Sequence, residues 1–114
     1  MSEEVDRTQR VLTDGSPVTD EHLEIQPDGM QKGYVVLTQA ERAKGFVRPV
    51  RRKYIHKTCG VETVMGQALA ETYARDPGFY NDTFYSGTFC VGCRVHRPLT
   101  EFHWSDNPDQ QVGS

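Results

Sequence analysis

Cysteine is scarce in this chain: three residues in 114, an odd number. That leaves no complete disulfide framework and points to a reducing compartment. Long apolar runs are missing as well. Tyr34-Val35-Val36-Leu37 is among the longest, far short of membrane-spanning length, so no membrane role is expected. The first residues, Met1-Ser2-Glu3-Glu4-Val5-Asp6, are acidic and hold no apolar h-region, so a secreted chain is not expected. Signatures of the common enzyme classes are absent: no P-loop, no G-x-G-x-x-G after a strand, no G-x-S-x-G and no H-E-x-x-H. Apolar content is 36%, below the usual globular fraction. A single small domain of this length buries a limited core. A metal that crosslinks distant segments offsets the shortage, because its binding free energy becomes folding free energy.

What is present fits such a crosslink. His56-Lys57-Thr58-Cys59 and Cys90-Val91-Gly92-Cys93 are two short pairs, together H-x2-C…C-x2-C. A two-residue gap lets one tight turn present two donors to the same ion, and thiolate with imidazole suits zinc. His56, Cys59, Cys90 and Cys93 are therefore the expected ligands of one structural zinc per chain. Cys93-Arg94-Val95-His96 is also a ligand-like pair, so His96 is the alternative fourth ligand, or else a group that hydrogen-bonds a thiolate. His22 and His103 read as surface or packing residues. Redox use of Cys90 and Cys93 is the rival reading. It fits poorly, because a thiol of lowered pKa in a C-x-x-C usually opens a helix, and Arg94-Val95-His96-Arg97-Pro98 is a poor helix start. Four protein donors close a zinc site to catalytic water, so the chain is expected not to be an enzyme; three cysteines without His56 would reopen that possibility.

Along the chain, residues 1–31 are polar and acidic and read as a flexible arm, disordered alone or ordered only against something else. Residues 32–104 form the expected zinc-binding domain, and 105–114 a polar, mobile tail. Residues 34–37 are a short β-prone run. Thr38-Gln39-Ala40-Glu41 fits a capping box opening a brief helix, with Gly45 as its stop. Residues 46–55 read as extended, with Pro49 marking an edge or an interruption. The clearest helix covers 64–75, capped by Thr63, with Met65, Leu69 and Tyr73 on one face widened by Ala68 and Asp76-Pro77-Gly78 at its end. Residues 79–89 are aromatic (Phe79, Tyr80, Phe84, Tyr85, Phe89), with turn signals at Asn81-Asp82 and Ser86-Gly87. Residues 99–104 read as a last strand. The aromatics, with Phe102 and Trp104, are expected to make the small core around the metal. The fold class is α+β: zinc-ribbon or treble-clef-like knuckles with one main helix.

The net charge of −3 hides an asymmetry. Residues 1–31 carry eight acids (Glu3, Glu4, Asp6, Asp14, Asp20, Glu21, Glu24, Asp28) against Arg7 and Arg10. Residues 42–57 carry seven bases (Arg42, Lys44, Arg48, Arg51, Arg52, Lys53, Lys57) and no acid. Arg48, Arg51, Arg52 and Lys53 are the expected macromolecule-binding residues, contacting phosphates with Tyr54 nearby for stacking. The bland alternative is a solvated face, or a surface that receives the acidic arm.

At Cys59-Gly60, Thr63, residues 70–77 (Ala-Glu-Thr-Tyr-Ala-Arg-Asp-Pro), Phe79-Tyr80, Thr88-Phe89-Cys90, Cys93, His96, Arg97-Pro98 and Glu101-Phe102-His103-Trp104, the chain resembles small uncharacterised zinc-finger-like proteins of tailed bacteriophages and prophages. The resemblance covers about residues 30–114. It implies a phage or prophage origin, supports the metal reading, and carries over no activity. The resulting expectation is a phage-type accessory protein that binds nucleic acid or a host or phage protein as a regulatory or anti-host adaptor. The alternative is a structural component of a phage particle or other assembly. Its location would be the host cytoplasm or the particle. No small-molecule substrate is expected. An adaptor needs mainly the basic surface, whereas an assembly component would use both ends as docking strands.

Overall fold

The structure, a computed structural model, describes residues 5, 6, 8–19, 21, 24–27, 29–82 and 87–113, without the side chains of 81 and 82. The expectations for Phe84, Tyr85, Ser86, His22, Arg7 and four of the arm acids (Glu3, Glu4, Asp20 and Asp28) lie outside the described residues.

The architecture is a small mixed α/β fold, mostly sheet. Strands β1 (Arg10–Leu12) and β2 (Val35–Leu37) form one antiparallel pair, in register Arg10↔Leu37, Val11↔Val36, Leu12↔Val35. A four-stranded antiparallel sheet has the order β4-β3-β7-β8, from β3 (Lys53–His56), β4 (Glu62–Val64), β7 (Phe102–Trp104) and β8 (Asn107–Gln111). A third sheet pairs β5 (Gly87–Cys90) with β6 (Val95–Pro98). Helices α1 (Gln39–Arg42), α2 (Gln67–Arg75) and α3 (Phe79–Asp82) lie between them. The core gathers Val35, Leu37, Tyr73, Phe79, Tyr80, Phe102 and Trp104. Tyr73 meets Trp104 edge-on at 5.6 Å, a preferred aromatic geometry.

Thr38 caps α1 as expected: its hydroxyl accepts the Glu41 N–H at 3.2 Å. The reciprocal half of the capping box is missing, because the Thr38 N–H donates to Gln9 O at 2.9 Å instead. Glu41 is thereby released for the interior, where its Oε2 lies 3.1 Å from Arg75 Nη2 and accepts the Asp6 N–H at 3.2 Å. Lys44 Nζ reaches its other oxygen at 2.9 Å. The arm is thus ordered in part against the domain, through β1 and Asp6.

The main helix begins later than its periodicity predicts. Met65 and Thr63 precede it: Thr63 lies in β4 and Gly66 is the N-cap, without a side-chain cap bond. The Thr63 hydroxyl accepts the Val91 N–H at 3.0 Å, tying β4 to the second ligand turn. Asn81 and Asp82 end α3 instead of forming a turn. Residues 99–104 divide into a 3-10 turn (Leu99–Glu101) and β7. Of the extended segment 46–55, only its end is a strand; Pro49 lies in an irregular, exposed stretch.

The polar tail is not free. β8 pairs with β7, and Val112 is fully buried with its N–H donated to Phe102 O at 3.2 Å. Gln110 accepts from Arg51 Nη1 at 2.6 Å. A strand with Pro108 in it sits acceptably at a sheet edge. Its polar residues hid one buried apolar anchor.

Candidate metal centre

Each donor pair sits on the turn of a hairpin. The first turn joins β3 to β4, and the second joins β5 to β6. Their backbones are alike. Gly60 N–H closes onto His56 O at 2.7 Å, and Arg94 N–H closes onto Cys90 O at 2.7 Å. The residue after each second donor is left-handed: Gly60 at φ 73° and Arg94 at φ 59°. Such a turn curls the chain around a point on its concave side, where both donors project. Gly60 takes that conformation without a steric cost, whereas Arg94 bears the Cβ penalty. The two turns also touch. A Cβ on Gly92 would lie 2.8 Å from Val61 Cβ, so only glycine lets the second turn approach the first.

The turns bring His56, Cys59, Cys90 and Cys93 together, with donor atoms all within 4.8 Å of one another. His56 Nδ1 lies 3.2 Å from Cys59 Sγ and 3.5 Å from Cys93 Sγ; Cys59 Sγ lies 3.5 Å from Cys90 Sγ. Tetrahedral zinc with sulfur at about 2.3 Å sets its ligands just under 4 Å apart, so these separations suit it. The cluster can hold a metal ion, and its N/S donor set is compatible with zinc. His56 and Cys90 are buried; Cys59 and Cys93 face solvent.

The electrostatics show what an ion would relieve. The Cys59 thiol is lowered to about 7, chiefly by the Val61 backbone N–H. The Cys93 thiol is pushed up to about 11, chiefly by its hydrogen bond with Cys90. Three sulfurs at contact distance compete for protons, and a divalent cation replaces that competition with coordination.

Sequence reasoning did not assign Glu101 a role. Its Oε1 lies 2.7 Å from His56 Nε2, and Arg97 holds the same carboxylate with Nε at 3.1 Å and Nη2 at 3.0 Å. An ionised carboxylate at Nε2 places the imidazole proton there and leaves the Nδ1 lone pair facing the thiols. Burial opposes protonation of His56, yet Glu101 and Cys59 outweigh it and raise its pKa. Phe102 packs on the ring, with centroids 4.8 Å apart. Nothing along the chain pointed Glu101 at His56.

His96 stands apart from the cluster. Its Nε2 lies 3.0 Å from the Tyr34 hydroxyl, and its ring meets Phe89 edge-on at 5.6 Å. His103 Nδ1 lies 2.8 Å from the Trp104 carbonyl. Cys90 ends a strand and opens a turn, so neither thiol of the C-x-x-C has a helix N-terminus behind it.

The four basic residues separate. Arg51 is taken up by the fold: its guanidinium lies 4.5 Å over the Trp104 ring and its side chain is 10% exposed. Tyr54, expected as a stacking partner, is buried. Arg48, Arg52 and Lys53 are exposed, although Arg52 Nε donates to Met65 O at 3.0 Å. No ion pair joins the acidic arm to these four among the described residues.

No helix among the described residues is long and apolar enough to cross a membrane. Compared with protein-family models, curated proteins and solved structures, the chain matches none.

Proposed function

We propose that this chain is a non-enzymatic binding module whose fold is held by one structural zinc ion at His56, Cys59, Cys90 and Cys93. The observation that carries the reading is the convergence of these four donors from two hairpin turns, with Glu101 orienting the imidazole. Four protein donors fill a tetrahedral ion and leave no position for a catalytic water. Both turns lie on hairpins and no helix supplies a donor, which favours the zinc-ribbon-like alternative over the treble-clef-like one. With the resemblance to phage zinc-finger-like proteins, the role is that of a phage-type accessory protein acting as an adaptor on a macromolecule.

An assembly component was expected to dock through both chain ends. Here β1 is paired with β2, and β8 with β7, so those strands are spent within the chain, and the adaptor reading gains. Elemental analysis of protein purified without chelator should give close to one zinc per chain. His56→Ala should empty the site and His96→Ala should leave it filled. Full zinc occupancy after Cys90→Ser with Cys93→Ser would falsify the assignment.

A further inference from the structure

We propose that residues 46–53 dock an extended segment of another protein, one that combines apolar side chains with carboxylates. This rests on the binding-module reading and adds the class of partner.

The segment has a built course. Val47 and Arg48 N–H both donate to Ala74 O, at 2.8 and 3.1 Å, near the C-terminal end of α2. At the other end, Met65 N–H donates to Arg52 O at 2.7 Å and Arg52 Nε returns to Met65 O at 3.0 Å, just before α2 begins. The stretch is therefore strapped along the nine residues of α2. That is about 14 Å, the reach of roughly four or five residues of extended chain.

Along this strap the chemistry changes. Phe46, Val47 and Val50 are 46%, 43% and 37% exposed, a density of outward apolar side chains that a solvated loop does not need. At the β3 end, Arg51, Arg52 and Lys53 line a shallow cavity of about 240 Å³ with Ser105 and Asp106. Arg51 pairs there with Asp106 at 3.7 Å, which leaves Arg52 and Lys53 to make the cavity net positive, and it has room for an acidic side chain. Lys53 makes no side-chain hydrogen bond or ion pair among the described residues. Charge complementarity thus selects an acidic partner, and the valines select an apolar one.

Nucleic acid fits less well. Phe46 is the one exposed aromatic on the strap, since Tyr54 and Trp104 are buried. Base stacking needs flat faces, which Val47 and Val50 lack. Arg51 is held over Trp104, and the chain as a whole carries −3, which opposes a long polyanion but not a local contact.

The test is selection from a displayed library of random linear peptides on the zinc-loaded full chain, followed by titration of the selected peptides as synthetic probes. DNA and RNA single-stranded oligonucleotides are titrated in parallel. Selected peptides should combine acidic with aliphatic or aromatic residues. Phe46→Ser with Val47→Ser, and separately Arg48→Glu with Lys53→Glu, should each weaken binding by about tenfold or more. Zinc content and circular dichroism should stay at wild-type levels; where a double variant loses its metal, its single members replace it. The proposal is overturned if no peptide is selected, or if the variants bind the selected peptides undiminished. It is also overturned if oligonucleotides bind and only the charge reversals abolish that binding. Each of these outcomes leaves the zinc-held module standing; a wild-type chain without zinc removes that reading instead, whatever the peptides do.

Discussion

Glu101 shows how a single half-buried carboxylate can govern a site that it does not enter. It holds His56 Nε2, and Arg97 holds it. Loss of such an outer partner commonly weakens metal affinity by about 10- to 100-fold. Glu101→Gln is therefore expected to lower zinc affinity by that order while the folded spectrum persists in excess zinc. A competition titration with a chromophoric chelator checks this, and unchanged affinity would show that the ring is oriented by Phe102 packing alone. Glu41 is a second such residue, in the interior. Its pKa is lowered from 4.5, first by Lys44 and also by the Asp6 N–H and Arg75, against the opposing effect of burial. A lowered carboxylate contributes stability above its unfolded pKa and loses it as pH falls through the folded value. Glu41→Gln should thus be less stable at pH 7, with a shallower decline below pH 4.5 than wild type. Glu41→Ala, which takes the buried Arg75 guanidinium's carboxylate away and leaves it Gly45 O, should cost about 3–5 kcal/mol. Denaturant melts at the two pH values test both; parallel declines would mean that Glu41 is not ionised in the fold.

At the scale of elements, the two ligand turns share one backbone design with unequal residues. Gly60 and Arg94 occupy equivalent left-handed positions. Space is open around Gly60, so Gly60→Ala meets only the backbone penalty, about 1–2 kcal/mol. Arg94→Gly removes that penalty and adds backbone entropy to the unfolded chain, about 0.5–1 kcal/mol in the other direction. The expected melting temperatures of the zinc-loaded variants therefore move oppositely, down for the first and slightly up for the second. A fall in both would indicate that Arg94 contributes a contact that its conformation conceals.

For the whole molecule, an ion at this centre would link two turns that belong to different sheets. The donors come from the four-stranded sheet and from the separate β5-β6 hairpin, whose cross-ties include the Thr63 hydroxyl on Val91 N–H, the Tyr54 hydroxyl on Phe89 O and Arg97 on Glu101. Binding free energy at a site that exists only in the folded chain is folding free energy. Chelation should lower the melting temperature strongly and reduce the circular dichroism of both helix and sheet. An apo-chain that melts where the zinc form does would assign the fold to its aromatic core instead.

The ligand pairs, the Thr38 cap, the helix around Leu69 and Tyr73, and the aromatic core were legible in the amino-acid order, because each depends on residues within a few positions or on a single period. Other features depended on what the fold brings near. His56 and His96 offer the same donor at similar spacing, and only the pairing of β3 with β7 sets Glu101 behind one of them while Tyr34 engages the other. Arg51 read as one of four surface cations until Trp104 and Gln110 closed on it. The tail read as polar because one buried valine among polar residues has no periodicity, and β8 exists through its pairing with β7. Local chemistry is written along the chain, whereas the choice between equivalent residues is made by partners far away in it.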